Sequence, residues 1–199
     1  MVTEALFVAP ESLHCLQTLA SVRISQLRPD DARAALSRSL DLWKDLTPES
    51  PSIPDFPTRI SLARLLMEVQ MENEALEVLE RMVLEDDQSV ETWYLGGWCL
   101  YLLGGRGRGP RSDNLNMAES EQQSTLRSSR NWLRRAVNLY DLLGYEDEKL
   151  RQHALELIEE LDRDLGDTLD ENVEEDDGKD DWEDETDSSN EDDDEMTDS

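Results

Sequence analysis

Cysteine is scarce: Cys15 and Cys99 are the only two. Two thiols exclude the disulfide framework of a small secreted domain. Both sit in apolar, helix-patterned stretches and read as reduced core residues of an intracellular protein. Histidine is as rare. His14 and His153 lie far apart, with no metal-ligand spacing and no nucleophile beside them, and neither a phosphate-binding loop nor a dinucleotide fingerprint occurs. This argues against an enzyme, and no cofactor or metal is expected. No apolar run approaches the ~20 residues of a membrane span, and residues 1–10 lack the basic start of a secretory signal. Basic side chains are the last deficit: 19 Lys and Arg stand against 48 Asp and Glu, for a net charge of −29.

That charge is unevenly spread. Residues 166–199 hold 19 acids and a single base, Lys179, so this segment carries −18 and the preceding 165 residues −11. A segment this charged and this poor in apolar side chains cannot offset its ordering entropy, and its like charges repel. It is expected to be a disordered acidic tail. Its field disfavours direct contact with nucleic acid and favours cationic partners.

The remaining residues are Leu- and Ala-rich with helical spacing. Trp93-Tyr94-Leu95-Gly96-Gly97-Trp98-Cys99-Leu100 resembles the tetratricopeptide signature W-x2-L-G-x2-Y, with Gly96 where Leu is usual. The small residue lets the two helices of a repeat approach closely. One repeat of about 34 residues before Gly97 lies Ala63, and Ala75 then takes the small position of the second helix, followed by Leu76, Leu79, Met82 and Val83 at helical offsets. The same frame places Ala20 in a first helix and Ala32, Leu36 and Ser39 in a second. Ala20 and Ala63 are 43 residues apart, and the surplus is the connection holding Pro48, Pro51, Pro54 and Pro57, which cannot be helical inside.

The third repeat is split. Its first helix ends near Leu103, where 104–111 breaks it with alternating Gly and Arg. Its second helix resumes around Gln122 with Ser129, Leu133 and Ala136 in frame. A flexible connector is expected at 104–111; RNA contact, and a latch of Arg106, Arg108 and Arg111 on the acidic tail, are the alternatives. Gly144 suits a helix C-cap. An amphipathic helix over 146–165 would then close the stack with one wet face. The expected organisation is therefore a remnant of a preceding repeat at 1–10, repeats at about 13–46, 56–89 and 90–143 with an insertion at about 104–122, a capping helix at 146–165, and the tail at 166–199. The fold class is all-α, a tetratricopeptide-like solenoid of helical hairpins.

A closer resemblance rests on Arg59-Ile60-Ser61-Leu62-Ala63-Arg64-Leu65-Leu66-Met67-Glu68, on Val90-Glu91-Thr92 leading into the Trp93 motif through Tyr101, and on the split repeat, terminal helix and acidic tail. Together these resemble the fungal dedicated assembly chaperones of ribosomal protein four of the large subunit. The sequence departs from that family in lacking its N-terminal repeats. The resemblance implies a non-enzymatic chaperone of a very basic ribosomal protein, bound through the client's long internal loop and escorted from cytoplasm to nucleus, the chaperone being a monomer in complex with its client. A histone chaperone and a general tetratricopeptide scaffold or co-chaperone are the alternatives.

First helices of such repeats line the inner surface. The residues expected to point there, and hence to form the client-binding groove, are Arg64, Met67, Glu68, Glu91, Tyr94, Trp98 and Tyr101. Ile60, Gln17, Ser21 and Ser25 flank them. Aromatic faces attract cations and carboxylates accept charge-assisted hydrogen bonds, a combination suited to a Lys/Arg-rich segment. The competing reading is that Trp98 and Tyr101 pack against a neighbouring helix. Trp93, Trp43 and Trp132 read as packing residues.

Overall fold

The computed structural model describes residues 12–105 and 119–166, and every secondary-structure element among them is an α-helix. The expected remnant at 1–10, most of the Gly/Arg connector and the acidic tail beyond residue 166 lie outside the described residues. In chain order the helices are α1 (Leu13–Ser25), α2 (Pro29–Asp41), α3 (Phe56–Glu68), α4 (Glu72–Glu85), α5 (Val90–Leu103), α6 (Glu119–Leu143) and α7 (Glu148–Leu165).

Local chemistry sets the ends. Ser12, Asp55, Ser89 and Asp147 each accept a hydrogen bond from the backbone N–H three residues on, capping α1, α3, α5 and α7. Pro29 opens α2, where a missing N–H costs nothing. Three helices stop in one way. After α1, α3 and α6 a residue turns left-handed (Leu27 φ 57°, Gln70 φ 67°, Gly144 φ 62°). The next N–H then reaches back five residues, from Arg28 to Arg23 O, Met71 to Leu66 O and Tyr145 to Tyr140 O, at 2.9–3.0 Å. Two boundaries differ from expectation by a fraction of a turn to a turn. α6 is already helical at Glu119, the first described residue there, and α7 begins at Glu148 because Asp147 supplies the cap.

The helices pair as hairpins, α1 with α2, α3 with α4 and α5 with α6. The first helices also approach one another in series, α1 to α3 to α5 to α7, and no such backbone approach joins α2, α4 and α6. An inner layer of first helices and an outer layer of second helices result, with α7 occupying the inner-layer place of a further hairpin.

Small side chains let the layers meet. Ala20, Ala32, Ser39, Ala63, Ala75, Ser129 and Ala136 are all fully buried. At Gly97 an added Cβ would lie 2.7 Å from Leu133 Cγ and 3.0 Å from its backbone N. The Ser129 hydroxyl donates to the Gly97 carbonyl at 2.7 Å, tying α6 to α5. Gly96 departs from the usual Leu for a visible reason: the Trp132 ring lies on it, 2.2 Å from where a Cβ would stand, and packs edge-on against Trp93 at 4.7 Å. Trp43 is buried too. Cys99 is a core residue, but Cys15 is only half-buried. The equal reading of the two thiols is corrected: Cys15 is not among the buried residues of α1, which are Leu16, Gln17 and Ala20.

Candidate binding groove

Two cavities run along the inner layer. The larger, about 630 Å³, has Met67, Leu95 and Leu102 in its floor and walls, with Tyr94 and Trp98 from α5 and Arg64 and Glu68 from α3. The second, about 530 Å³, lies between α1 and α3 and is lined by Gln17, Ser21, Thr58 and Ser61 together with Pro57 and Leu65. Arg64 and Glu68 line both cavities, so the two adjoin along α3.

The first helices explain this placement. Arg64, Met67 and Glu68 recur at three- and four-residue steps on α3, and Glu91, Tyr94 and Trp98 do so on α5, so each set shares one helical face. Five of the seven residues singled out from the sequence line the larger cavity: Arg64, Met67, Glu68, Tyr94 and Trp98. Glu91 borders it by holding Arg64 in an ion pair across α3 and α5. Of the flanking residues, Gln17 and Ser21 line the second cavity, Ile60 is buried, and Ser25 is exposed outside both, its hydroxyl bonded to Ser21 O.

Tyr101, the seventh, is not among the residues lining the larger cavity. It is 7% exposed and its hydroxyl donates to Glu160 Oε2 at 2.5 Å, so it is spent on the α5–α7 contact and not on the groove. The physical reason is that α7 crosses α5 there. The same helix covers Tyr94, which is 8% exposed rather than presented to solvent. The Tyr94 hydroxyl and His153 Nδ1 share a 2.8 Å hydrogen bond, and the His153 ring stands edge-on to Trp98 at 4.9 Å. Burial pushes the Tyr94 phenol up to about 12, against the opposing charge of Arg64 and with a smaller push from Asp147. It stays protonated at any physiological pH. Trp98 remains half-buried, with one side toward the cavity.

Sequence reasoning missed the α7 wall. Asp147, Lys149 and Leu150 line the larger cavity opposite α3. The N-cap at Asp147 was the available signal: once α7 takes a first-helix place, its opening turn faces α5 as α5 faces α3.

The surface is therefore apolar at its floor and charged at its mouth. Glu68 is exposed, with no hydrogen bond or ion pair among the described residues. Arg64 is paired with Glu91, and Asp147 and Lys149 stand across from them. Such a site can hold an extended polypeptide segment, with side chains set into the floor and cationic groups met at Glu68 and on the Trp98 ring.

A protein named probable assembly chaperone of rpl4 from Emericella nidulans is 63% identical over 170 residues, covering 84% of this chain and 44% of its own length. One of the same name from Schizosaccharomyces pombe is 35% identical over 160 residues, covering 78% of this chain and 45% of its own length. The chain is a relative of both proteins. It spans less than half the length of each. A solved structure titled assembly chaperone of RpL4 (Acl4), residues 1–338, is 60% identical with a TM-score of 0.51, covering 52% of this chain and 37% of the other. No family model matches the chain.

Proposed function

We propose that this chain is a non-enzymatic chaperone that binds and shields a highly basic ribosomal protein, large-subunit protein four, during ribosome assembly. The observation that carries the reading is the 63% identity to a protein named for that client, over 84% of this chain. The groove supports it: an inner surface with a carboxylate at Glu68 that has no partner among the described residues, a half-buried indole at Trp98 and an apolar floor suits a basic segment with interspersed larger side chains. The net charge of −29 supports it as well, because a strongly anionic chain attracts cationic polypeptide and repels RNA.

In this reading the groove holds one client segment while the acidic residues beyond 166 screen further cationic surface. Ribosomal RNA, with a far denser charge, later displaces the chaperone. The chain acts as a monomer with its client, in cytoplasm and nucleus.

The test is capture by the full chain of purified large-subunit protein four against core histones at moderate salt. Selective capture of the ribosomal protein is expected; equal or better capture of histones would move the reading to a histone chaperone. Trp98→Ala and Glu68→Lys should each weaken capture about three- to thirtyfold, in line with the loss of an aromatic anchor and the reversal of a contact charge. Tyr94 is a poor probe, since its truncation would remove packing between α5 and α7.

A further inference from the structure

Arg64 sits oddly in a groove for a basic partner. It projects from the middle of α3 into both cavities and puts a positive charge where a cationic segment would lie. The structure shows how that charge is held: its guanidinium reaches across to the Glu91 carboxylate on α5.

The two members of this pair are not equivalent. The Arg64 side chain is 55% exposed, while that of Glu91 is 25% exposed. Glu91 lies in the first turn of α5, where the helix N-terminus favours a negative charge. The carboxylate is the fixed member. The arginine is a long, flexible, well-hydrated arm that loses little by swinging into solvent, because an exposed ion pair contributes little to stability. One turn along α3, Glu68 offers a second carboxylate with no partner among the described residues.

We infer that Arg64 is a resident stand-in for a guanidinium of the bound segment. In the empty groove it occupies Glu91. When an arginine-rich segment enters, an arriving guanidinium takes Glu91, with Glu68 and the Trp98 ring beside it, and Arg64 withdraws. The exchange replaces one guanidinium–carboxylate pair by another, so its net cost is small for an arginine-bearing segment. A neutral segment has no charge with which to displace Arg64 from Glu91, and an acidic one would be repelled by both carboxylates. Arg64 thus competes with the arriving guanidinium for Glu91 and sets the affinity of the groove for an arginine-bearing segment, while the Glu91 carboxylate supplies the preference for cations. The inference rests on the reading of the groove as the site for a basic partner.

The experiment titrates the full chain with a short synthetic peptide of alternating Arg and Ser, and with the same peptide carrying citrulline for Arg. The Met67 methyl resonance, at the cavity floor, is followed as the local readout. The residues beyond 166 are the same in every variant, so their contribution cancels in the ratios. Arg64→Gln and Arg64→Met should each tighten binding of the arginine peptide by about three- to tenfold, since a competing charge is removed. The gain should vanish in the double variant R64Q/E91Q, and affinity for the citrulline peptide should not rise. Using two replacements separates loss of charge from a local packing effect, and circular dichroism checks that the helices are kept. Unchanged or weaker binding in both Arg64 variants overturns the stand-in role alone and makes Arg64 a spectator or a direct contact to the peptide. A wild-type Met67 signal that responds to neither peptide overturns this inference together with the groove reading on which it rests.

Discussion

Gly97 and Tyr94 show what single residues contribute. At Gly97 even one methyl group meets the Leu133 backbone at 3.0 Å, and backbone cannot yield as a side-chain tip can. Gly97→Ala should therefore destabilise the domain by about 1–3 kcal/mol, as overpacking does, read as a lower denaturation midpoint with an unchanged slope. Tyr94 offers a test by pH. Burial raises its phenol to about 12 in the folded chain, above an ordinary value of 10.0. A folded value above the unfolded one means that the contribution to stability is whole below about pH 10 and drains away as pH climbs toward 12. Ultraviolet titration should find Tyr94 among the tyrosines that ionise late, together with loosening of α7, and Tyr94→Phe should lower the late amplitude by one tyrosine while the raised Tyr140 and Tyr145 remain. The sequence marked Tyr94 as an inner-face residue from its helical offset. It could not show that the hydroxyl would be taken by His153, because that contact joins positions 59 residues apart.

Among the elements, the hairpin closures carry avoidable strain. Leu27 and Gln70 adopt the left-handed conformation that glycine adopts freely, and Leu27 is 89% exposed besides. Leu27→Gly should raise stability by up to about 1 kcal/mol, the relief of strain exceeding the added chain entropy, measured as a higher melting temperature. Gly144, at the same position after α6, already has the favourable residue. These closures separate the legible from the illegible. Gly144 was recognisable as a cap because glycine announces a positive φ, whereas Leu27 and Gln70 were not, since nothing in their side chains demands one. Helix register was readable for a different reason. A position that must admit a neighbouring helix tolerates only a small side chain, so Ala20, Ala63, Ala75, Gly97 and Ser129 record the contacts in the sequence itself. α7 left only its amphipathic stripe. That stripe says that one face is buried, and it is silent on whether the face rests on α6 alone or also reaches α5.

For the molecule as a whole, charge dominates what can be measured. With a net charge of −29, association with a basic client should be steered by long-range attraction and weakened as salt shortens its range from about 8 Å at physiological ionic strength to about 3 Å at 1 M. Under the proposed function, affinity for large-subunit protein four should fall at least about tenfold between 0.1 and 0.5 M salt, mainly through the association rate. Salt-independent binding would place the energy in the apolar floor around Met67 and Leu102 instead.

By itself the sequence determined the helical hairpins, their frame and the sign of the charge, because helix periodicity, small contact residues and ionisable side chains are local properties written one position at a time. The path of the inner surface was decided only in three dimensions. Residues 104–122 interrupt the frame, so no spacing rule carries from α5 to α7. Packing alone set α7 into the inner layer, turned Tyr101 toward Glu160, put His153 against Tyr94 and Trp98, and left Arg64 and Glu68 at an open mouth. Which inward side chains stay available to a partner depends on what the chain packs against them, and that follows from contacts between distant segments.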